Sequence, residues 1–253
     1  FWWNNHSFLY ILLRGGWKIS VETESTCEKR RKVQCLWHGN QKDPSRTARN
    51  VLLSCMSEKE MKKIGLTGVM GAGKSSVIEI LKEADVTVLD CDAINADLLK
   101  KGNKGYQRLV EVFSDDILNE QKELDKQKMS DLIFSDPIKK KQAEGILHPL
   151  IKEEISNCLD TLKNQKLAVV EVPLLFEVHW ESFFDEIWVV AAERDIILQR
   201  LMMYRHVSQK EAIRRLDAQM PREEKINKSD VVFWNNGDKK ALKQQIHDIL
   251  NKE

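Results

Sequence analysis

With 253 residues, 42% of them hydrophobic, the chain can bury one sizeable core or two modest ones. Its 40 Lys and Arg nearly balance 39 Asp and Glu, which argues against a surface-wide field for nucleic acid and makes any anion site local. Cys27, Cys35, Cys55, Cys91 and Cys158 form no C-x-x-C pair and no even framework, so neither a zinc knuckle nor a disulfide scaffold is signalled and a cytoplasmic location is expected.

Residues 1–60 hold Trp2, Trp3, Trp17 and Trp37 and the basic tract Lys29-Arg30-Arg31-Lys32, without sustained helical or strand periodicity. The apolar run Phe8 to Leu13 is too short to span a bilayer, and neither a basic region before it nor a small-residue cleavage site after it suggests a signal peptide. No membrane association is expected. Met61-Lys62-Lys63 then opens a strongly patterned region, as a translation start would. The expectation is a non-native or disordered extension over 1–60 and one compact domain over 61–253.

From Met61 strands and helices alternate. Lys63 to Thr67 reads as a buried strand, Lys74 to Lys82 as a helix and Val86 to Leu89 as a short strand. Helical spacing follows over Ala93–Lys100, Tyr106–Phe113, Lys126–Phe134, Pro137–Leu147 and Pro149–Leu162, with both prolines at first-turn positions. Leu167–Val172 and Glu186–Ala191 are near-continuous apolar runs, the mark of parallel strands covered on both faces. Helices over Asp195–Tyr204 and Ser208–Gln219, a strand over Asp230–Trp234 and a helix over Lys239–Leu250 complete the chain. This order predicts a doubly wound α/β sheet with helical insertions.

Gly68-Val69-Met70-Gly71-Ala72-Gly73-Lys74-Ser75 satisfies G-x-x-x-x-G-K-[ST] between a buried strand and a helix, where a phosphate-binding loop belongs. Its glycines let successive N–H groups turn inward and the helix N-terminus adds positive potential. Lys74 then reaches the β and γ phosphates, and Ser75 offers a hydroxyl to Mg²⁺. A glycine-rich turn that binds nothing seldom carries both flanks. Asn227-Lys228-Ser229-Asp230 spells a guanine-reading N-K-x-D, but it precedes a strand rather than following one, and the chain contains no D-x-x-G switch. That match reads as accidental.

Phosphoryl transfer to a hydroxyl needs positioning, charge neutralisation and a carboxylate that accepts the hydroxyl proton. Asp90 and Asp92 leave the carboxyl end of a strand, the edge at which open α/β sheets bind ligands. Asp92 has two readings, catalytic carboxylate or N-cap of the helix that starts at Ala93.

The loop GVMGAGKSSV, the Asp90-Cys91-Asp92 pair, Ile133-Phe134-Ser135-Asp136-Pro137, Ile146-Leu147-His148-Pro149-Leu150-Ile151, Val172-Pro173-Leu174-Leu175-Phe176-Glu177 and Asn235-Asn236-Gly237 occur in an order that resembles dephospho-CoA kinase. The resemblance covers 61–253 and none of 1–60. It implies a three-layer α/β/α P-loop fold with a parallel sheet, a helical acceptor-binding insertion over about 93–165 and a helical lid over about 194–228. It also implies transfer of the ATP γ-phosphate to the 3′-hydroxyl of dephospho-CoA with Mg²⁺. Asp92 then matches the general base, Lys74 and Arg200 the catalytic cations, and Gly68, Gly71, Ala72, Gly73, Lys74, Ser75 and Ser76 the nucleotide loop, Ser75 being the metal ligand. Asn235 matches the residue near the adenine. His148, Pro173 and Leu175 match the acceptor site together with Asp92, and Arg215 is a second lid candidate. Partners are ATP and dephospho-CoA, with no nucleic acid, in a monomer or small homo-oligomer.

Three positions depart from the family pattern. Tyr204 stands where the second lid arginine is usual, with Arg205 one residue later and so turned by about 100° on a helix. Lys126 replaces a commoner arginine, and Phe233-Trp234 an Ile-Asp pair. Each bears on substrate affinity rather than reaction type. A shikimate- or nucleoside-kinase-like enzyme and a non-catalytic nucleotide-binding module are the alternatives, against which the His148 and Pro173 segments, Asp92 and the lid region stand.

Overall fold

The computed structural model describes residues 8–13, 17–22, 32–36 and 61–252. The chain divides into two units, Phe1–Glu58 and Lys59–Glu253. In the first, β1 (Phe8–Leu13), β2 (Trp17–Glu22) and β3 (Lys32–Leu36) form an antiparallel sheet, with Leu13 opposite Trp17 and Lys18 opposite Leu36. Most of the segment expected to be disordered lies outside the described residues; those that are described form strands.

The second unit is built on five strands: β4 (Lys62–Thr67), β5 (Val88–Asp90), β6 (Leu167–Glu171), β7 (Glu186–Ala191) and β8 (Val231–Trp234). They pair in the order β5-β6-β4-β7-β8, and every pairing is parallel. Nine α-helices accompany them among this unit's described residues, beginning with α1 (Lys74–Glu83) and α2 (Cys91–Leu98), together with 3₁₀ turns at Ser114–Ile117 and Glu181–Phe183. Successive side chains on a strand point to opposite faces. Ile64, Leu66, Val169, Trp188 and Val190 therefore join one apolar cluster, and Ala168, Val170, Ile187 and Val189 another.

The first cluster is covered by α1, by α6 (Arg194–Arg205) through Ile197 and Leu201, and by α9 (Lys239–Leu250) through Leu242 and Ile246. The second is covered by α2 through Leu98 and by α5 (Pro137–Thr161) through Ile151, Ile155 and Leu159. The result is a three-layer α/β/α sandwich. A smaller cluster of Leu109, Phe113, Ile117, Leu118 and Ala143 joins α5 to α3 (Lys104–Phe113) and to α4 (Lys126–Ser135). The remaining helices, α7 (Gln209–Asp217) and α8 (Arg222–Asn227), lie between α6 and β8 in the chain.

One boundary corrects the sequence reading. Pro149 was expected to open a new helix, but α5 runs unbroken from Pro137 to Thr161 with Pro149 inside it. Proline removes the N–H that would meet the carbonyl of Gly145. Buried Ala143, Ile151, Ile155 and Leu159 lie on both sides of that defect, and their packing holds the two halves as one rod. Among the described residues, no helix is long and apolar enough to cross a membrane.

Candidate active site

The phosphate loop joins β4 to α1, so a strand buried over its last four residues fixes its entry and a helix fixes its exit. Gly73, the residue before α1, has φ +96°, and a Cβ there would collide with Nδ2 of Asn235. Gly68 is held as tightly, since its Cβ would fall 2.5 Å from the carbonyl oxygen of Val190. Both glycines are thus demanded by close approach as well as by backbone angle.

Lys74 donates from Nζ to the carbonyl of Gly68 at 3.1 Å, which folds its ammonium back over the loop. Burial pushes the pKa of that ammonium down. Glu171 opposes the shift most strongly among its neighbours, Lys225 adds to it, and Asp92 and Glu177 oppose it. The lysine is therefore the hub of a charged group.

Parallel register sets that group. Asp90 at the end of β5 stands opposite Glu171 at the end of β6, and Glu171 stands opposite Leu66 of β4. Asp90 Oδ1 accepts the amide of Ala93 at 3.0 Å and is the N-cap of α2. Asp92, in the first turn, is left uncommitted by the helix end. Of its two sequence readings, the cap belongs to Asp90 instead. Burial raises the Asp92 carboxyl above the ordinary carboxylate range, Asp90's charge adds to the rise, and Lys74 opposes it. Glu171 is raised in the same way, by burial first, with Lys74 again opposing.

A cleft of about 550 Å³ opens beside the loop. Gly71, Gly73, Lys74, Ser75, Ser76 and Glu171 line one side; Arg200, Tyr204 and Arg205 from α6 line another, facing Asn235, Gly237 and Lys239. Arg200 donates to the carbonyls of Ala72 at 3.2 Å and Asn235 at 2.9 Å. Asn235 is 7% exposed, and its Nδ2 donates to the carbonyl of Ala72 at 3.0 Å. Its amide is thereby committed to the loop's backbone, although the residue still lines the cleft. Ala72 is fully buried; its carbonyl takes both donors, and its amide donates to the carbonyl of Val69 at 3.2 Å.

The acceptor candidates separate. His148 on α5 is half-buried, edge-on to Trp180 at 5.6 Å between ring centres, and does not line this cleft. Burial lowers its pKa, Lys152 reinforces the fall and Glu144 opposes it, which favours the neutral imidazole. Pro173 is pinned by its carbonyl, which accepts Thr67 Oγ1 at 3.1 Å. Leu175 is fully buried in the core, against Gly65 and the Trp180 cluster, so its side chain is not a substrate contact in this conformation. Apolar residues at a strand exit satisfy the core first, and the sequence alone does not tell which of them do so. Asp230 of the N-K-x-D match accepts the Ile187 amide at 2.7 Å and starts β8, a structural task. Arg215 pairs with Glu211 at 2.7 Å on α7 rather than lining the cleft.

Sequence reasoning missed Lys225 and Gln219. Lys225 sits in the run Arg222-Glu223-Glu224-Lys225, which reads as a solvated face, yet it is fully buried against Glu177. Among the described residues, no group of three or more His, Cys, Asp or Glu side chains is arranged to hold a metal ion. The oxygen donors near Lys74, a Ser75 hydroxyl and carboxylates, nonetheless suit Mg²⁺, which commonly takes one or two protein oxygens and completes its shell with phosphate and water.

A family model described as dephospho-CoA kinase matches residues 62–241. Curated dephospho-CoA kinases from Bacillus thuringiensis and Carboxydothermus hydrogenoformans are 36% and 38% identical to the chain over 191 residues, covering 75% of it and 96% and 93% of themselves. One from Streptococcus agalactiae is 38% identical over 192 residues, covering 76% of this chain and 98% of its own. A crystal structure from Thermus thermophilus superposes with TM-score 0.67 at 32% identity, over 77% of this chain and 98% of its own. The dephospho-CoA kinase of Campylobacter jejuni does so with TM-score 0.58 at 26% identity, over 75% and 96%. With a nucleotide loop and a strand-edge carboxylate inside the matched residues 62–241, and curated relatives 36% to 38% identical over 93% to 98% of their own length, the chain belongs to the dephospho-CoA kinase family.

Proposed function

We propose that the chain transfers the γ-phosphoryl group of ATP to the 3′-hydroxyl of the dephospho-CoA ribose, giving CoA and ADP. The observation that carries this reading is the freedom of Asp92: Asp90 caps α2, and Asp92 keeps a raised carboxyl in electrostatic reach of Lys74. In the step, the hydroxyl oxygen forms a bond to the γ-phosphorus, the bond to the β–γ bridging oxygen breaks, and the hydroxyl proton passes to Asp92. Lys74 and Arg200 neutralise charge on the phosphates, and the loop amides from Gly71 to Ser76 orient them. Ser75 would hold Mg²⁺ with oxygens of the nucleotide, and the ion would supply further charge neutralisation.

The helices α2 to α5 serve in this reading as the acceptor-binding insertion, and α6 to α8 as a lid that excludes water when closed. Tyr204 and Arg205 both line the cleft, which supports Arg205 as a second phosphate contact. The absence of a cysteine framework supports a cytoplasmic enzyme. The test is product identity: Mg·ATP and dephospho-CoA should yield ADP and CoA in equal amounts, with the new phosphate on the ribose 3′ oxygen by phosphorus NMR. ADP without CoA, or a phosphate on another acceptor such as shikimate or a nucleoside, would overturn it.

A further inference from the structure

The segment between α7 and β8 makes contacts that phosphate chemistry does not require. Lys225 on α8 is the one fully buried lysine among the described residues, and its ammonium donates to both oxygens of Glu177, at 2.7 and 3.0 Å. Glu177 Oε1 also accepts the Met220 amide at 3.3 Å. One residue earlier, Gln219 Oε1 accepts the amide of Met70, inside the phosphate loop, at 2.9 Å. Residues 219 to 225 therefore grip two core loops at once, the phosphate loop through Met70 and the loop leaving β6 through Glu177.

An ion pair between a buried lysine and a partly buried carboxylate is a poor device for stability alone, because apolar residues of the same volume often serve as well or better. What it does supply is a fixed distance and direction between two segments. Here those segments are the end of the α6–α7 wall and a core loop, both near Lys74: Glu177 favours the charged form of that lysine and Lys225 opposes it. At its other point of attachment the wall reaches the phosphate loop through Arg200 and the carbonyl of Ala72. A wall that swings to admit a nucleotide needs one end held, and among the described residues the 219–225 end is the one held by an ion pair with a fully buried lysine.

We propose that Glu177 is a positioning residue for phosphoryl transfer, anchoring through Lys225 and the Met220 amide the segment that Gln219 ties to the phosphate loop. It touches no reacting atom. Without the anchor, the loop amides and the Arg200 wall lose their common reference, and the nucleotide meets a less ordered site. This deepens the kinase reading and rests on it.

The test uses the full chain carrying Glu177→Leu with Lys225→Met, which replaces the pair by apolar side chains and leaves no buried charge alone. The thermal midpoint should stay within a few degrees of the parent, while KM for Mg·ATP rises about tenfold and KM for dephospho-CoA stays within about twofold. Gln219→Leu should produce the same split without touching the pair, and Gln219→Glu, which keeps an acceptor oxygen for the Met70 amide, should return KM for Mg·ATP to the parent value. If the double variant does not fold, the Gln219 variants decide alone. An unchanged KM for Mg·ATP in the folded double variant, or in Gln219→Leu, would overturn the proposal. Binding of a fluorescent ATP analogue reads the anchor even if the parent chain makes no CoA, an outcome that would instead sink the kinase reading.

Discussion

Asp90 and Asp92 stand two residues apart, yet backbone geometry gives them different work. The first satisfies the amide of Ala93, and the second is left to ionise beside Lys74. A base acts in its ionised form, so in the role proposed for Asp92 kcat/KM should rise with pH through its elevated pKa, placing the acid limb above the range of a free carboxylate. Asp90→Asn keeps an N-capping side chain but removes the charge that adds to the rise, so the limb should move to lower pH. A pH–rate profile that does not move would show that the limb belongs to another group.

Glu171 offers a stability test of the same environment. Its folded pKa is raised, so its contribution favours the fold below the unfolded pKa and is lost as pH rises through the folded one. At neutral pH the ionised, half-buried carboxylate opposes folding. Glu171→Gln should therefore raise the urea midpoint at pH 7 relative to the parent, with the gain shrinking as the pH falls towards 4. A gain that is the same at both pH values would contradict the assignment. Gly73→Ala, by contrast, forces a Cβ onto Asn235 Nδ2 at φ +96° and should abolish measurable ATP binding in equilibrium dialysis.

At the scale of elements, α5 is where sequence and structure part. Its N-terminus was legible, because Pro137 follows Asp136, whose carboxylate accepts the Ile138 amide at 2.8 Å. Its continuity was not, because a proline's local cost is visible in sequence while the burial that outweighs it is spread over Ala143, Ile151, Ile155 and Leu159. Gly145, whose carbonyl Pro149 leaves unpaired, has open space where a Cβ would sit. Gly145→Ala should stabilise the chain by about 0.5–1 kcal/mol in urea denaturation, the cost of glycine in a helix interior. A loss would mean that the helix needs glycine's freedom at that turn. The short α8 escaped notice for a related reason, since one buried lysine beside a partly buried arginine and two exposed glutamates leaves no periodic trace.

For the molecule as a whole, the parallel sheet was readable from its near-continuous apolar strands, and the nucleotide loop from a motif with both flanks in place. Which residues share the cleft was less so. Strand register brings Asp90 to Glu171, and α6 folds back to bring Arg200 to Ala72 from 128 residues away in the chain. Such separations carry no local pattern. The fold also predicts linkage: a ligand bound only by the native state stabilises it by about 2.7 kcal/mol at a hundred times its Kd. Mg·ATP at that excess should raise the unfolding midpoint, and Lys74→Ala should remove most of the rise.

Transfer of a phosphoryl group to dephospho-CoA at the sheet edge from Lys74 to Asp92 is the reaction proposed for this chain. Its most direct test is a rapid-quench single turnover with γ-labelled ATP, comparing the parent chain with Asp92→Asn. The account predicts label in CoA from the parent, a rate lower by about 10²–10⁴-fold in the variant, as for loss of a general base, and ATP affinity within a few-fold of the parent. Equal rates of label transfer in the two proteins would contradict it.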